Sequence, residues 1–138
     1  MALDNDDVAE LLDRPSPAVL TTYRADGTAV ASPVWYRRTG DSLEVVIADG
    51  DVKLRHLAHR PESALLIFEA TAPFRAIRVE SIPILDHVDV TDARRGIARR
   101  YLGTDRGDAF TASRGSATIV RFPLSGARTW DLTGILPT

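Results

Sequence analysis

The chain contains no cysteine, which excludes disulfides, cysteine-ligated metals and thiol catalysis. It also has no basic excess: 17 Lys and Arg stand against 19 Asp and Glu, whereas nucleic-acid-binding surfaces are strongly basic. No apolar run approaches the roughly 20 residues of a membrane-spanning helix. The acidic start, residues 1–12, lacks the basic and apolar regions of a signal peptide. We therefore expect a cytoplasmic protein with no nucleic-acid and no membrane partner.

Lysine is nearly absent, since Lys53 is the only lysine among the 17 basic residues. The hydrophobic fraction of 44% in 138 residues is enough for one domain, residues 1–138, with its own core. No linker, repeat or low-complexity segment divides the chain.

Runs of β-branched and apolar residues predict six to seven strands. They cover residues 17–24, 28–39, 42–48, 63–68, 74–85, 116–124 and 126–132. Helical periodicity predicts helices over 6–13, 51–60, 90–103 and 105–113, with Thr91 or Asp92 capping the third. Pro33 and Pro83 lack a backbone N–H and therefore require an edge or a bulge. The pattern predicts an α+β fold with a mainly antiparallel small barrel and short peripheral helices, or alternatively a β-sandwich.

The segment 42–61 joins a strand, a glycine turn and a helix that begins with Lys53 and Arg55. Free N–H groups and the positive end of the helix dipole make such a place suitable for a phosphate or carboxylate. Asp49 and Asp51 carry the opposite charge at the same place, although Asp51 suits the N-cap. Two interpretations remain open: an anion site, or a plain strand–helix connection.

No residue set suits acid–base, covalent or metal chemistry. His56 and His59 have a spacing that can share a metal, but neither a cysteine nor an H-E-x-x-H pattern accompanies them. A G-x-S-x-G nucleophile motif is also missing. We therefore predict no catalytic residue and no metal site, so that any reactive atoms belong to a cofactor.

Five segments in order resemble one known family. They are PAVLTTYRADGTAVASPVWYR, DGDVKLRHLAHRPESALLI, RAIRVES, ARRGIARRYLG and TWDL. The chain resembles the pyridoxamine 5′-phosphate oxidase-like split β-barrels that bind FMN or the deazaflavin coenzyme F420, and within them the actinobacterial F420-dependent branch. The resemblance implies a split β-barrel and a homodimer with cofactor sites at the subunit interface. It also implies hydride transfer between F420, or alternatively FMN, and an unknown small-molecule substrate. F420 adds a long anionic tail, which arginines of the fifth predicted strand and of the third predicted helix can accommodate. The pattern alone favours a solvated cationic face for the helix residues Arg94, Arg95, Arg99 and Arg100.

The resemblance also implies roles for ten residues as cofactor contacts. Lys53, with Arg55, holds the cofactor phosphate, and the segment 32–35 lies along the ring. The segment 47–49 lines the ribityl and phosphate end, and Trp130 approaches from the other subunit. The ten are Ser32, Pro33, Val34, Trp35, Ile47, Ala48, Asp49, Lys53, Arg55 and Trp130. The basic C-terminal signature of true pyridoxamine phosphate oxidases is missing, so that specific activity is not expected.

Two other functions remain open. Ile47, Asp49 and Asp51 depart from the family pattern around the phosphate, and they motivate a non-catalytic flavin-binding or small-ligand-binding protein. A haem-linked member of the same barrel, with one of the three histidines as ligand, is the third reading.

Overall fold

In the computed structural model, residues 2–137 are described and form nine strands and four α-helices. The strands are β1 (Ala18–Tyr23), β2 (Ala29–Val34), β3 (Arg37–Thr39), β4 (Ser42–Ala48), β5 (Ser63–Phe68), β6 (Ala76–Ser81), β7 (Ile84–Asp86), β8 (Ala117–Pro123) and β9 (Arg128–Trp130). The helices are α1 (Asn5–Asp13), α2 (Val52–His59), α3 (Val90–Leu102) and α4 (Thr104–Ala112), and a 3-10 turn follows at Thr133–Ile135. The predicted α+β class is confirmed.

The strands form two antiparallel sheets within residues 2–137. One has five strands in the order β2-β1-β5-β6-β9, and the other has four in the order β3-β4-β8-β7. The longest ladder joins β4 to β8, from Ser42 opposite Pro123 to Ala48 opposite Ala117. The predicted antiparallel pairing is confirmed, whereas backbone hydrogen bonds of the described residues do not close the two sheets into one barrel.

The predicted count of six to seven strands is too low, because two predicted strands each turn a corner between the sheets. The second predicted run becomes β2 in the five-stranded sheet and β3 in the four-stranded sheet, with Trp35 and Tyr36 between them. The fifth run becomes β6 and β7 in the same manner, with Ile82 and Pro83 at the corner. Pro33 lies on β2, an edge strand, where its missing N–H interrupts no interior ladder.

A side-chain cap marks the start of α2 but not that of α3. The Asp51 carboxylate accepts a hydrogen bond from the Lys53 N–H at 2.9 Å and caps α2 as predicted. The predicted cap of α3 at Thr91 or Asp92 is wrong, because that helix begins one residue earlier and Asp89 precedes it without a capping side-chain bond. None of the helices described for residues 2–137 is long and apolar enough to cross a bilayer.

The core takes side chains from both sheets and from α1. Alternate residues of β1 and β5 are buried, as expected for strands with one face inward. The fully buried apolar side chains include Leu11, Leu12, Leu20, Leu43, Leu65, Ile67, Ile77, Val120 and Phe122. Both sheets therefore bury a face in one shared core.

A buried ion pair fastens α1 to the turn between β5 and β6. The Arg75 guanidinium donates to both carboxylate oxygens of Glu69, at 2.8 and 3.0 Å, and each residue is only 8% exposed. Arg75 also reaches Glu10 of α1 at 3.0 Å, and Arg14 donates to Glu69 at 2.9 Å. Hydrogen bonds from Arg75 lower the pKa of Glu69 from 4.5 to about 2 despite its burial.

We expect Arg75→Leu to lower the free energy of unfolding at pH 7 by about 3 kcal/mol, because it leaves the Glu69 charge buried with one partner fewer. The folded-state pKa of Glu69 lies below the unfolded value of 4.5. Its contribution is therefore present above pH 4.5 and is lost as the pH falls towards 2.

Urea unfolding of both proteins across this pH range checks the expectation. The difference between wild type and Arg75→Leu should shrink on acidification. Arg106→Leu, at an exposed position of α4, is the matched control and should stay within about 0.5 kcal/mol of wild type. A difference that is constant from pH 7 to pH 3 contradicts the ionic explanation.

Candidate functional site

A cleft of about 230 Å³ opens beside the four-stranded sheet. Its walls are the end of β2, the end of β4, the start of α2 and the helix pair α3–α4. The lining residues are Pro33, Val34, Trp35, Val46, Ile47, Ala48, Asp51, Lys53, Arg94, Ile97, Phe110 and Arg114. Three of these are cations and one is a carboxylate, so the wall carries a net charge of +2 in a chain of net charge −2. A concave site of this charge favours anionic ligands.

The turn from β4 into α2 forms one end of the cleft. Gly50 has φ +92°, a left-handed conformation that residues with a side chain rarely adopt. The turn brings Asp51 to the N-terminus of α2 and places Lys53 at the cleft.

Lys53 is paired within its own turn. Its Nζ lies 3.2 Å from Oδ2 and 3.3 Å from Oδ1 of Asp51, and its side chain is 17% exposed. The Asp51 carboxylate therefore binds both the N–H at the helix N-terminus and the Lys53 ammonium group, which the sequence pattern assigns to an anion. A phosphate at this end has to share the lysine with Asp51 or displace that carboxylate.

An aromatic group forms the apolar wall of the cleft. The Trp35 ring stacks on Tyr101 of α3, with centroids 5.3 Å apart and planes 10° apart, and packs against Phe110 of α4 at 5.2 Å. The Tyr101 hydroxyl donates to the Ser16 carbonyl at 2.8 Å. Burial raises the pKa of Tyr101 to about 12, so this phenol stays protonated near neutral pH.

Tyr36, the next residue, anchors this wall in the interior. Its side chain is fully buried, and its hydroxyl lies 3.0 Å from the carbonyls of both Leu12 and Arg14. The Arg100 guanidinium lies 5.1 Å from the centre of the Tyr36 ring and donates to the carbonyls of Tyr36, Leu12 and Arg14. Helix α3 is thereby fixed to the corner between the two sheets.

Two arginines from the helix pair reach the same cleft. Arg94 donates to the Gly115 carbonyl at 2.7 Å, and the Arg114 guanidinium lies 3.9 Å from the centre of the Phe110 ring. Helices α3 and α4 approach closely at Gly107, where an added Cβ would lie 2.8 Å from the backbone of Arg99. Burial, followed by the charge of Arg114, lowers the pKa of Arg94.

Asp49 is held outside the cleft by a different contact. The Thr118 hydroxyl donates to its carboxylate at 2.8 Å and lies 3.2 Å from His87 Nδ1. Since the hydroxyl proton goes to Asp49, the contact with His87 requires a proton on Nδ1. The hydrogen bond from Thr118 lowers the pKa of Asp49.

The structure brings six of the ten predicted cofactor contacts to the cleft: Pro33, Val34, Trp35, Ile47, Ala48 and Lys53. Ile47 lines it while also belonging to the buried core. Four do not line it. Ser32 is half-buried beside it on β2, Asp49 is bonded to Thr118, and Arg55 is exposed on α2. Trp130 lies on β9, where the Arg78 guanidinium is 5.8 Å from its ring centre. The roles in cofactor binding stay predictions.

The sequence pattern favours a solvated face for Arg94, Arg95, Arg99 and Arg100 of the third predicted helix. That interpretation is wrong for two of the four, because Arg94 lines the cleft and Arg100 is bonded to buried carbonyls. No sequence motif marked Phe110 or Arg114 as residues of the site. Their position depends on how α4 packs on α3, which the local pattern does not encode.

Solved structures of other proteins share the fold of this chain. No family model matches the chain, and no curated protein matches it. Among solved structures, a conserved hypothetical protein from Mycobacterium tuberculosis superposes with a TM-score of 0.80 at 18% identity, over 100% of this chain and 91% of that one.

Two further solved structures carry functional descriptions. An F420 reductase matches with a TM-score of 0.71 at 21% identity, over 86% of this chain and 94% of that one. The FAD and heme binding protein from Mycobacterium smegmatis matches with a TM-score of 0.70 at 18% identity, over 98% of this chain and 74% of that one. At this identity the likeness establishes a shared fold.

Asp51 gives a direct test of the turn. We expect Asp51→Ala to lower the free energy of unfolding by about 1 kcal/mol, because alanine cannot accept the Lys53 N–H. Asp51→Asn keeps a capping oxygen and should lie within a few tenths of a kcal/mol of wild type. Urea unfolding measures both variants. Equal losses in the two would show that the charge of Asp51, and not its capping bond, stabilises the turn.

Proposed function

We propose that this chain is an oxidoreductase of the pyridoxamine 5′-phosphate oxidase-like split-barrel family that uses a flavin-type cofactor. The first candidate is F420 and the alternative is FMN. Such a cofactor supplies hydride transfer to or from a small-molecule substrate when bound. The chain itself binds the cofactor, orients it and excludes water from it. The proposed location is the cytoplasm.

One observation carries the proposal: two parts of the chain that are separated in sequence meet in a single cationic cleft. They are residues 33–35 on one side and residues 47–48 with Lys53 on the other, and the resemblance assigns them to the ring, the ribityl chain and the phosphate. A chance resemblance gives no reason for them to converge. The shared fold with an F420 reductase and with an FAD and heme binding protein supports the same class of ligand.

The chemistry of the cleft fits a planar group that carries a phosphate. Pro33, Val34 and Trp35 offer apolar surface to a ring, and the Trp35 indole is held in place by the stack on Tyr101. Lys53 offers a cation to the phosphate. Arg55 is exposed to solvent in the single chain. Within one chain, therefore, Lys53 contacts the phosphate without help from Arg55.

The cleft of one chain supplies only part of such a site. Ligand pockets usually enclose about 300–1,000 Å³, and this cleft holds about 230 Å³. Trp130 lies on β9 at one edge of the five-stranded sheet, whereas Pro33 lies on β2 at the other edge. If Trp130 contacts the cofactor, it therefore has to come from a second copy. We propose a homodimer whose subunits complete each other's sites.

Lys53→Met should weaken cofactor binding about 10- to 150-fold, because a charge-assisted bond to a phosphate contributes about 1.5–3 kcal/mol. Asp51→Asn should strengthen binding about fivefold, since it removes a negative charge that competes for Lys53 and relieves about 1 kcal/mol of repulsion with a phosphate. Titration of the purified protein with F420 and with FMN, followed by fluorescence, measures both effects.

Arg106→Gln is the matched control for the loss of one positive charge and should leave both affinities unchanged. A native protein that binds neither cofactor overturns the proposal. Equal affinities of wild type and Lys53→Met overturn the placement of the phosphate at this turn.

Mixed dimers test the contribution of the second subunit. Lys53→Met and Trp130→Ala chains each form homodimers with two impaired sites. When they are mixed, each heterodimer has one site with both substitutions and one with neither. Random mixing should therefore restore wild-type affinity to about a quarter of all sites. Titration of the re-equilibrated mixture, with light scattering to establish its mass, measures this fraction. No recovery in a verified dimer shows that Lys53 and Trp130 do not form a site across the interface.

A second candidate function is non-catalytic binding of a flavin or another small ligand. The Asp51–Lys53 pair favours it, because it lowers the positive charge available to a phosphate. Mixing reduced F420 or FMN with candidate acceptors separates the two functions, and turnover above the uncatalysed rate excludes the second.

No histidine of residues 2–137 lines the cleft, and His56 is buried against Thr22, so a haem ligand from this cleft is not supported.

A further inference from the structure

Arg94 and Arg114 come from different elements and are held next to each other. Arg94 lies in the first half of α3, whereas Arg114 follows the end of α4. The bond from Arg94 Nη1 to the Gly115 carbonyl, at 2.7 Å, fixes Arg94 to the residue after Arg114. The close approach of the two helices at Gly107 makes this contact possible. The pair is therefore a product of the tertiary packing.

Neither guanidinium group is in an ion pair with a carboxylate of the described residues. Among the ion pairs of residues 2–137, none joins a carboxylate to Arg94 or to Arg114 within 4.0 Å. Asp49, the nearby carboxylate that acts on Arg94, is bonded to the Thr118 hydroxyl. Arg94 is half-buried and Arg114 is exposed, and both line the cleft. An anion bound between two such cations relieves their mutual repulsion.

This pair differs from the lysine end of the cleft in its charged neighbours. Lys53 is paired with Asp51 at 3.2 Å, whereas the charges that act on Arg94 are those of Arg114 and Asp49. Arg114 also lies against the Phe110 ring, whose other neighbour is Trp35 on the apolar wall. A ligand bound at the arginines therefore lies beside the surface that we assign to the cofactor ring.

We propose that Arg94 and Arg114 form a second anion site, which binds a carboxylate or phosphate group of the substrate. This inference rests on the proposed function, in which Lys53 holds the one phosphate of the cofactor. Each guanidinium keeps N–H donors beyond the contact described, and its planar fork matches a carboxylate or phosphate oxygen pair. The substrate class is then an anionic small molecule.

The first experiment uses inorganic phosphate as the probe, at low ionic strength so that charges are not screened. In the Lys53→Met protein, titration calorimetry should still detect phosphate binding. Adding Arg94→Gln or Arg114→Gln should weaken that binding about 10-fold or more, because each removes a charge-assisted contact. Arg94→Lys should recover part of it. Arg95→Gln, an exposed neighbour on α3, is the matched control and should change nothing.

The second experiment separates the substrate from the cofactor as the source of the anion. Arg94→Gln and Arg114→Gln should leave the affinities for FMN and for F420 within about twofold of wild type. Loss of FMN binding as large as that of Lys53→Met assigns the arginines to the cofactor phosphate and overturns the proposal. Loss of F420 binding alone assigns them to the anionic tail of that coenzyme and overturns it as well.

The two proposals fail in different ways. A native protein that binds phosphate through the arginines but binds neither FMN nor F420 refutes the proposed function and leaves the anion site standing. Phosphate binding that is unaffected by both arginine substitutions, or undetectable in the Lys53→Met protein, refutes the anion site. Thermal melting of each variant establishes that it is folded before these comparisons.

Discussion

The corner at which the chain passes from one sheet to the other depends on the buried Tyr36. Its hydroxyl bonds the last carbonyls of α1, and burial raises the pKa of this phenol, so it remains a donor. Arg100 bonds the same carbonyls and covers the ring. Helix α3 is consequently held over the corner, and Trp35 stacks on the residue after Arg100. The position of the apolar wall of the cleft thus depends on the buried Tyr36 hydroxyl and on Arg100.

The distribution of charge is a second constraint on function. The chain has a net charge of −2, and much of its arginine is used internally, in pairs such as Arg75 with Glu69 and Arg121 with Glu44. Such buried pairs organise the fold but offer nothing to a ligand. Arg94 and Arg114 differ, because they line a cleft and have no carboxylate partner among the described residues. The cleft therefore gives a globally acidic protein a local preference for anions.

Local features of the fold were predictable, and features created by packing were not. The Asp49–Asp51 turn, the cap of α2 and the antiparallel pairing follow from short-range rules of turn and strand chemistry. The strand count failed at Trp35–Tyr36 and at Ile82–Pro83, because a strand that bends between two sheets keeps the same hydrophobic pattern on both sides of the bend. In the site, Lys53 follows from the strand–turn–helix pattern, whereas residues 33–35 and 47–48 came from the family resemblance. Arg94 and Phe110 were missed because only the contact of α3 with α4 at Gly107 brings them to the cleft.

The two cationic ends of the cleft differ in how readily they accept an anion. Lys53 and Asp51 are two residues apart, so their pairing orders little additional chain, and it persists until a stronger anion competes. A phosphate monoester carries about −1.5 to −2 charges at neutral pH and several acceptor oxygens, against −1 for the Asp51 carboxylate. The lysine end therefore discriminates by charge and favours a phosphate monoester, such as that of FMN, over a simple carboxylate. The arginine end has no internal competitor and imposes no such threshold, so a singly charged carboxylate suffices there. This difference disfavours a carboxylate substrate at the lysine end, whereas the arginine end accepts either kind of anion.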